Sequence, residues 1–180
     1  MYYKVTNEQE NHNGFQYSTG LNIDTSKFQE TGNIGRGLHF TTLKHITEFL
    51  IYGTYVREVS IPKNAKIVKN QDGYTLRANR IILGKRYLIE DFIRKFKEKF
   101  DEHDWYCISH YPKLSEDFIR ENKDRVCWSA ILENQTLPEE MIIEFKDKMD
   151  PYELLHHQKQ LSEEFKIEIR NEFKDYLLQE

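Results

Sequence analysis

The sequence predicts an α+β fold, in which a mixed α/β module over residues 1–84 precedes a short all-α array of helical-hairpin repeats over residues 85–180. Three observations lead to this prediction. All eight glycines lie in the first segment, and they separate the short β-branched and aromatic runs that are typical of strands. The second segment carries one apolar pattern four times, with leading leucines at intervals of 26, 23 and 24 residues. Self-similarity at this spacing indicates about four stacked units of roughly 23 residues.

The first module is expected to contain short strands and one helix. The helix is predicted from Leu43 to about Tyr52, capped by Thr41 or Thr42 and ended by Gly53. The strands are predicted at residues 2–5, 15–17, 38–40, 55–61, 65–68 and 80–83. A segment of this length is near the lower limit for a domain with its own core, so docking on the first repeat is expected to stabilise it.

Each repeat is expected to consist of two short helices with one buried face. Ser115 and Ser162 are placed to cap the first helix of their units, and Pro138 takes the same place in another copy. Acidic pairs follow these residues and suit the positive end of a helix dipole. Asp104 and Asp150 are placed to cap the second helices. A polar last block, with residues 175–180 after it, is expected to close the array.

The repeat surface supplies the candidate binding residues. Trp105 and Trp128 are expected in second helices, where packing between repeats and stacking on a ligand are alternative roles. Residues 85–180 contain 16 basic and 23 acidic side chains, so a basic or amphipathic protein is the expected partner rather than nucleic acid. The candidate acidic residues for this contact are Glu116, Asp117, Glu139 and Glu140.

The pattern Leu-Ser-Glu-Asp-Phe-Ile-Arg-x-x-Lys-Asp-x-Val-x-Trp at residues 114–128 resembles short helical repeats of uncharacterised proteins from giant DNA viruses of the mimivirus type. Asn122 stands where that pattern usually has an aromatic residue, and residues 102–104 are an insertion before Trp105. An uncharacterised module that precedes ankyrin or other repeats in such proteins is similar to residues 3–7, 13–22, 37–40 and 56–62. The resemblance implies a viral protein-interaction scaffold and brings no known activity for the module.

An enzyme in the first module is the main alternative. The order of strand, Gly-x-His-Phe strand, helix and Arg-Glu-Val strand is loosely similar to ADP-ribosyltransferase-like folds. That similarity implies the site residues Tyr17, Arg36, His39 and Glu58. The residues themselves leave the matter open, because His39 is also typical of a hydrogen-bonded structural histidine and Glu58 of an alternating, half-buried strand. Arg36, which lies between two glycines, is also typical of a tight turn.

Composition narrows the remaining classes. The histidines and cysteines match no metal-binding motif, so neither a metal nor a cofactor is expected. Cys107 and Cys127 are expected to be reduced thiols of an intracellular protein, in the host cytoplasm or a viral factory. A net charge of −4 and the lack of a long apolar run or secretory leader predict a soluble protein that is neither membrane-bound nor secreted.

The sequence therefore predicts a non-enzymatic interaction or scaffold protein of a large DNA virus. Its repeats would bind a protein partner through their acidic surface. A small enzyme that the repeats position on a target is the first alternative. A structural or virion protein that self-associates through its repeats is the second, and the sequence does not determine the oligomeric state.

Overall fold

The computed structural model describes residues 1–30 and 36–174. The chain divides into two compact units, Met1–Phe100 and Asp101–Glu180. The sequence predicts that residues 1–84 form a separate domain, and this boundary stays a prediction. The beginning of the glycine turn predicted before Arg36 and the predicted closing residues 175–180 lie outside the described residues.

The first unit is built on an antiparallel β-sheet. Its strands are β1 (Tyr2–Thr6), β2 (Asn11–His12), β3 (Phe15–Gln16), β4 (Gly20–Ile23), β5 (Leu38–Thr42), β6 (Tyr55–Ser60), β7 (Ile67–Lys69), β8 (Leu76–Ala78) and β9 (Arg80–Leu88). Within the described residues, a seven-stranded sheet has the order β4-β9-β6-β1-β5-β8-β7, and its neighbours are all antiparallel. β2 and β3 pair separately. One face of the sheet buries a core that includes Leu38, Phe40, Val59 and Ile81.

The prediction of a mixed α/β first module is wrong. The segment expected to form a helix contains two 3-10 helices instead, Leu43–His45 and Thr47–Tyr52. Five of the ten residues from Leu43 to Tyr52 are β-branched or aromatic, and such residues lose side-chain freedom in an α-helix. The segment ends just before Gly53, as predicted. This position requires glycine, because an added Cβ atom would lie 2.1 Å from the carbonyl oxygen of Thr6. Ile46 and Leu50 are buried, as the apolar pattern indicates.

The prediction of an all-α repeat array over residues 85–180 is also wrong. β9 continues to Leu88, and helix α1 (Ile89–Phe96), which carries the first copy of the pattern, belongs to the sheet unit. Phe92 is fully buried, with its ring centroid 5.0 Å from that of Tyr3 and 5.9 Å from that of Tyr87. Burying this aromatic side chain against the sheet stabilises the first unit by roughly 2–3 kcal/mol. The apolar face of α1, which was predicted to pack in a repeat stack, therefore packs on β-strands.

The second unit contains short helices. They are α2 (Glu102–His110), α3 (Glu116–Glu121), α4 (Trp128–Asn134), α5 (Glu139–Phe145), α6 (Pro151–His157) and α7 (Glu163–Glu172). The caps predicted at Ser115, Ser162 and Asp150 are confirmed, since each side chain accepts a hydrogen bond from the backbone three residues later. Pro138 stands at the N-cap of α5, as predicted. The cap predicted at Asp104 is wrong, because Asp101 caps α2 and Asp104 completes its capping box.

Two buried glutamines connect the loops of the second unit. The Gln135 side chain accepts from the Leu114 amide at 3.2 Å and donates to the Pro112 carbonyl at 2.8 Å. Gln158, which is 1% exposed, accepts from the Leu137 amide at 2.9 Å and donates to two backbone carbonyls. These bonds satisfy backbone groups that the short helices leave without partners.

Candidate functional site

Three of the four predicted catalytic residues lie along one cleft of the first unit. Tyr17, Arg36 and His39 line this cleft, which has a volume of about 610 Å³. Glu58 lies elsewhere, in a hollow that it lines with Gly84 and the end of β6. The structure therefore brings Tyr17, Arg36 and His39 together and does not bring Glu58 to them.

Two side chains of this cleft, His39 and Tyr17, are neutral near neutral pH. Burial, with a smaller effect from the Lys4 and Arg77 charges, lowers the pKa of His39 to about 4. Burial, followed by the Asp24 charge, raises the pKa of Tyr17 above its ordinary value. A neutral imidazole and a phenol can donate and accept hydrogen bonds, so this arrangement can orient a polar ligand.

The Glu58 carboxylate takes part in a separate polar cluster. It accepts a hydrogen bond from the Tyr87 hydroxyl at 2.8 Å, and that hydroxyl accepts from the Lys95 ammonium at 2.6 Å. The Lys95 ammonium also lies 3.8 Å from the carboxylate. Because Glu58, Tyr87 and Lys95 belong to β6, β9 and α1, these hydrogen bonds connect the three elements.

Lys4 was not predicted as a site residue, and it is one of the buried cations of the first unit. Its side chain is only 6% exposed and lies in β1 between buried neighbours. The ammonium donates to the His39 carbonyl at 3.0 Å and lies 4.5 Å from the centroid of the Tyr17 ring. Burial lowers the pKa of Lys4 to about 8. A lysine inside an otherwise buried strand was the signal that could have identified it.

Lys4 lines a second cleft, which we call the β1–β5 cleft, with a volume of about 250 Å³. The strands β1 and β5 pair at Tyr2 with Thr42 and at Tyr3 with Thr41, and no later pair joins them. The cleft lies beside the residues that follow this pairing, and its other lining side chains include His12, Asn13, His39, Phe49 and Tyr52.

The acidic residues predicted to bind a partner lie in the first turns of α3 and α5. Glu116 accepts from Arg120 at 3.2 Å, and Glu139 accepts from the Ser162 hydroxyl at 2.8 Å. Asp117 has an 89% exposed side chain, and Glu140 is exposed as well. Glu116 and Glu139 thus contact their own unit, whereas Asp117 and Glu140 are exposed, with Asp117 3.9 Å from the Arg120 guanidinium.

The helices α3, α5 and α7 lie next to one another. Arg120 of α3 donates to Glu144 of α5 at 2.8 Å, and the Glu139 contact with Ser162 connects the beginnings of α5 and α7. Lys146, just after α5, pairs with Glu172 of α7. The exposed carboxylates of the three first turns therefore follow one another across neighbouring helices, and we call Asp117, Glu140 and Glu164 the acidic row.

Both predicted tryptophans pack inside the second unit. Trp105 is 5% exposed, and the Arg125 guanidinium carbon lies 5.8 Å from its ring centroid. Trp128 is half-buried, and its ring centroid lies 5.1 Å from that of Phe145. Its ring nitrogen donates to the Lys123 carbonyl at 3.0 Å. These contacts favour the packing role over ligand stacking.

Across residues 1–30 and 36–174, no helix combines the length and apolar character needed to cross a bilayer.

Comparisons with known proteins identify relatives from one virus. "Putative ankyrin repeat protein R868" of Acanthamoeba polyphaga mimivirus is 34% identical over 97 residues, which is 51% of this chain and 48% of that protein. "Uncharacterized protein R869" of the same virus is 39% identical over 97 residues, 51% of this chain and 70% of that protein. "Putative ankyrin repeat protein L797" is 37% identical over 135 residues, 73% of this chain and 27% of that protein. The chain thus spans about half or less of these ankyrin relatives. No family model and no solved structure matches the chain.

Proposed function

Because this chain belongs to the family of mimivirus proteins that includes the uncharacterized protein R869, we propose that it is an interaction protein of a giant virus. Its second unit binds a basic partner protein through the acidic row. The single observation that carries this proposal is the exposure of Asp117, Glu140 and Glu164 on three neighbouring helices. Relatives named as putative ankyrin repeat proteins support a role in protein binding.

The charge of the second unit supports a basic partner. Residues 101–180 contain 10 basic and 20 acidic side chains. Two basic side chains of α3 and α7 already have carboxylate partners, since Arg120 pairs with Glu116 and Glu144 and Lys166 pairs with Glu163. A partner with arginines or lysines spaced at the separation of packed helices, about 8–10 Å, could pair with successive members of the row.

Two exposed isoleucines define the apolar part of the proposed contact. Ile143 is 58% exposed and Ile167 is 53% exposed. Each lies three residues after a member of the acidic row, Glu140 or Glu164, and therefore on the same side of its helix. We expect an amphipathic basic helix, whose apolar side covers the isoleucines while its cations reach the carboxylates.

The experiment compares capture of partners by three forms of the full-length chain from mimivirus-infected cells. The test variant carries Asp117→Lys, Glu140→Lys and Glu164→Lys. A matched control reverses three exposed carboxylates outside α3 and α7 and away from the first turn of α5, namely Glu102→Lys, Glu133→Lys and Asp147→Lys. Both variants have the same net charge, so only the position of the changed charges differs.

We expect wild type and the matched control to recover the same partner, and the test variant to recover about tenfold less of it. Circular dichroism must give the same helix content for all three chains. Equal recovery by the test variant would exclude the acidic row as the binding surface. Equal loss in both variants would mean that net charge, rather than this surface, attracts the partner.

Self-association is a second candidate, and the exposed Ile143 and Ile167 are the observation that favours it. Sedimentation across a concentration series measures it directly. A mass that rises with concentration in wild type and stays monomeric in Ile143→Ser/Ile167→Ser would support self-association. The enzyme alternative has less support, because Glu58 lies apart from Tyr17, Arg36 and His39.

A further inference from the structure

The β1–β5 cleft of the first unit has a charged side chain that the proposed interaction does not use. Lys4 is more than nine-tenths buried and has one hydrogen bond, to the His39 carbonyl. Among residues 1–30 and 36–174, no carboxylate lies within ion-pairing distance of its ammonium. Transfer of an ammonium from water to a protein interior is costly unless an opposite charge compensates it.

The other charged groups near Lys4 increase this cost. Arg57 is its partner in the pairing of β1 with β6, and successive pairs place both side chains on one face of the sheet. Arg57 is 3% exposed and already has an ion partner, Glu10, at 3.5 Å. Arg77 of β8 is fully buried and donates to the Asn70 side chain and to backbone carbonyls. The sheet around Lys4 therefore has more buried positive than negative charge.

The lining of the β1–β5 cleft indicates the kind of molecule that would compensate this charge. His12 and His39 both have a lowered pKa because of burial, and Lys4 contributes to each shift, so neither ring adds a charge near neutral pH. Asn13 offers an amide, whereas Phe49 and Tyr52 offer ring faces. A volume of about 250 Å³ is below the range of drug-sized pockets, which begins at about 300 Å³.

We propose that the β1–β5 cleft binds a small monocarboxylate with an apolar ring or chain, and that the carboxylate pairs with the ammonium of Lys4. The ring or chain packs against Phe49 and Tyr52, whose own ring centroids lie 6.3 Å apart, and the neutral His12 and Asn13 donate to the remaining carboxylate oxygen. This site is separate from the acidic row, because all of its residues belong to the first unit.

The titration of Lys4 supplies a direct consequence. Its pKa of about 8 results from burial without an opposite charge. A bound carboxylate stabilises the protonated amine, so binding must raise this pKa. The other groups that face Lys4 are His12, His39, Arg57 with Glu10, and the Tyr17 ring. Tyr17 stays protonated in this range because its own pKa is raised by burial.

The test uses the full-length chain with carbon-13-labelled lysine and follows the Lys4 side-chain signal by NMR, with benzoate as the probe and benzamide as its neutral isostere. Near neutral pH, we expect benzoate to bind about tenfold more tightly than benzamide and to raise the Lys4 titration midpoint by about one pH unit. The preference for benzoate should decline by about tenfold in total between the Lys4 midpoint of the free chain, at a pKa of about 8, and the raised midpoint, and it should level off above the raised midpoint.

Two variants complete the test. Lys4→Met removes the charge, keeps most of the side-chain volume and should abolish the preference for benzoate, whereas Lys63→Met, at an exposed lysine, should keep it. If Lys4→Met fails to fold, the pH dependence of the wild-type chain decides. Equal affinity for benzoate and benzamide, an unchanged Lys4 midpoint, or a preference that survives Lys4→Met would overturn the proposal. In that case Lys4 serves only to bond β5 through the His39 carbonyl.

Discussion

The two units treat charge in opposite ways. Residues 1–100 contain 16 basic and 10 acidic side chains, and this unit buries the cations Lys4, Arg57 and Arg77. Residues 101–180 contain 10 basic and 20 acidic side chains, yet the polar groups buried there are chiefly neutral amides such as Gln135 and Gln158. The first unit therefore buries three cations, whereas the second unit carries its excess of carboxylates mostly on its surface.

The difference follows from what each type of buried group costs. A buried amide that makes all its hydrogen bonds costs little and does not change with pH. A buried cation remains expensive unless it is neutralised, so it responds to pH and to any anion that reaches it. We therefore expect pH and small anions to act mainly on the first unit, and ionic strength to act mainly on what the second unit binds.

The largest expected effect concerns the extent of the first unit. A fragment of residues 1–100 should fold, whereas one of residues 1–84 should not. The shorter fragment lacks the end of β9 and α1, whose Phe92 and Ile93 are fully buried. Loss of each such side chain costs about 2–5 kcal/mol, which together exceeds the stability of many small domains. Thermal melts by circular dichroism measure this, and a cooperative melt of the shorter fragment would contradict it.

The next effect tests the neutral interior of the second unit. Gln158→Leu leaves the Leu137 amide and two buried carbonyls without partners, and should destabilise the unit by about 3 kcal/mol. Asn171→Leu makes the same change of residue type at an exposed position and should cost no more than about 0.5 kcal/mol. Urea titration measures both values. Equal losses of unfolding free energy in the two variants would mean that the hydrogen bonds of Gln158 do not stabilise the unit.

A smaller effect tests the pH response of the first unit. The pKa of His39 is lowered from 6.5 to about 4, so between these values the unfolded chain binds the proton and the folded chain does not. Stability should be fully retained above pH 6.5 and decrease as the pH falls toward 4, by about 2 kcal/mol given the partial exposure of the ring. His39→Asn should show a flatter dependence in urea titrations, although His12 still contributes in the same direction. Identical pH dependence in both chains would contradict this explanation.

The smallest effect concerns the surface of the second unit. Arg120→Gln removes exposed ion pairs with Glu116 and Glu144 and should lower stability less than any of the test variants above, because solvent screens such pairs. Chemical denaturation at low and high salt checks this, and the difference between the chains should shrink as salt rises. A loss as large as that of Gln158→Leu would show that these helices depend on their surface charges more than the comparison allows.

The parts of the fold that the sequence predicts are those set by local chemistry. Ser115, Ser162 and Asp150 cap helices because each needs only an amide three residues away. The apolar pattern at residues 88–100 was wrongly placed in a repeat stack, because a helical period gives a buried face without specifying what covers it. In the structure, distant strands cover it, with Tyr3 and Tyr87 on Phe92.

The candidate sites show the same limit. Glu140 and Asp117 were recognisable as exposed acids in first turns, whereas the equivalent Glu164 was not selected. The sequence shows only that Lys4 lies among apolar strand residues, since its environment comes from His39, 35 residues away, and from the separation of β1 and β5. Pairing between strands that are distant in the sequence determines such clefts. The periodicity of a single strand does not indicate which other strand it pairs with.

The salt dependence of partner capture by the full-length chain tests the central claim most directly. The partner recovered with wild type should be measured at about 50 mM and about 300 mM salt, beside the variant that reverses the acidic row. We predict that wild-type recovery falls about tenfold or more over this range, while the small residual recovery of the variant hardly changes. Equal recovery by wild type at both salt concentrations would contradict binding through the displayed charge of the second unit.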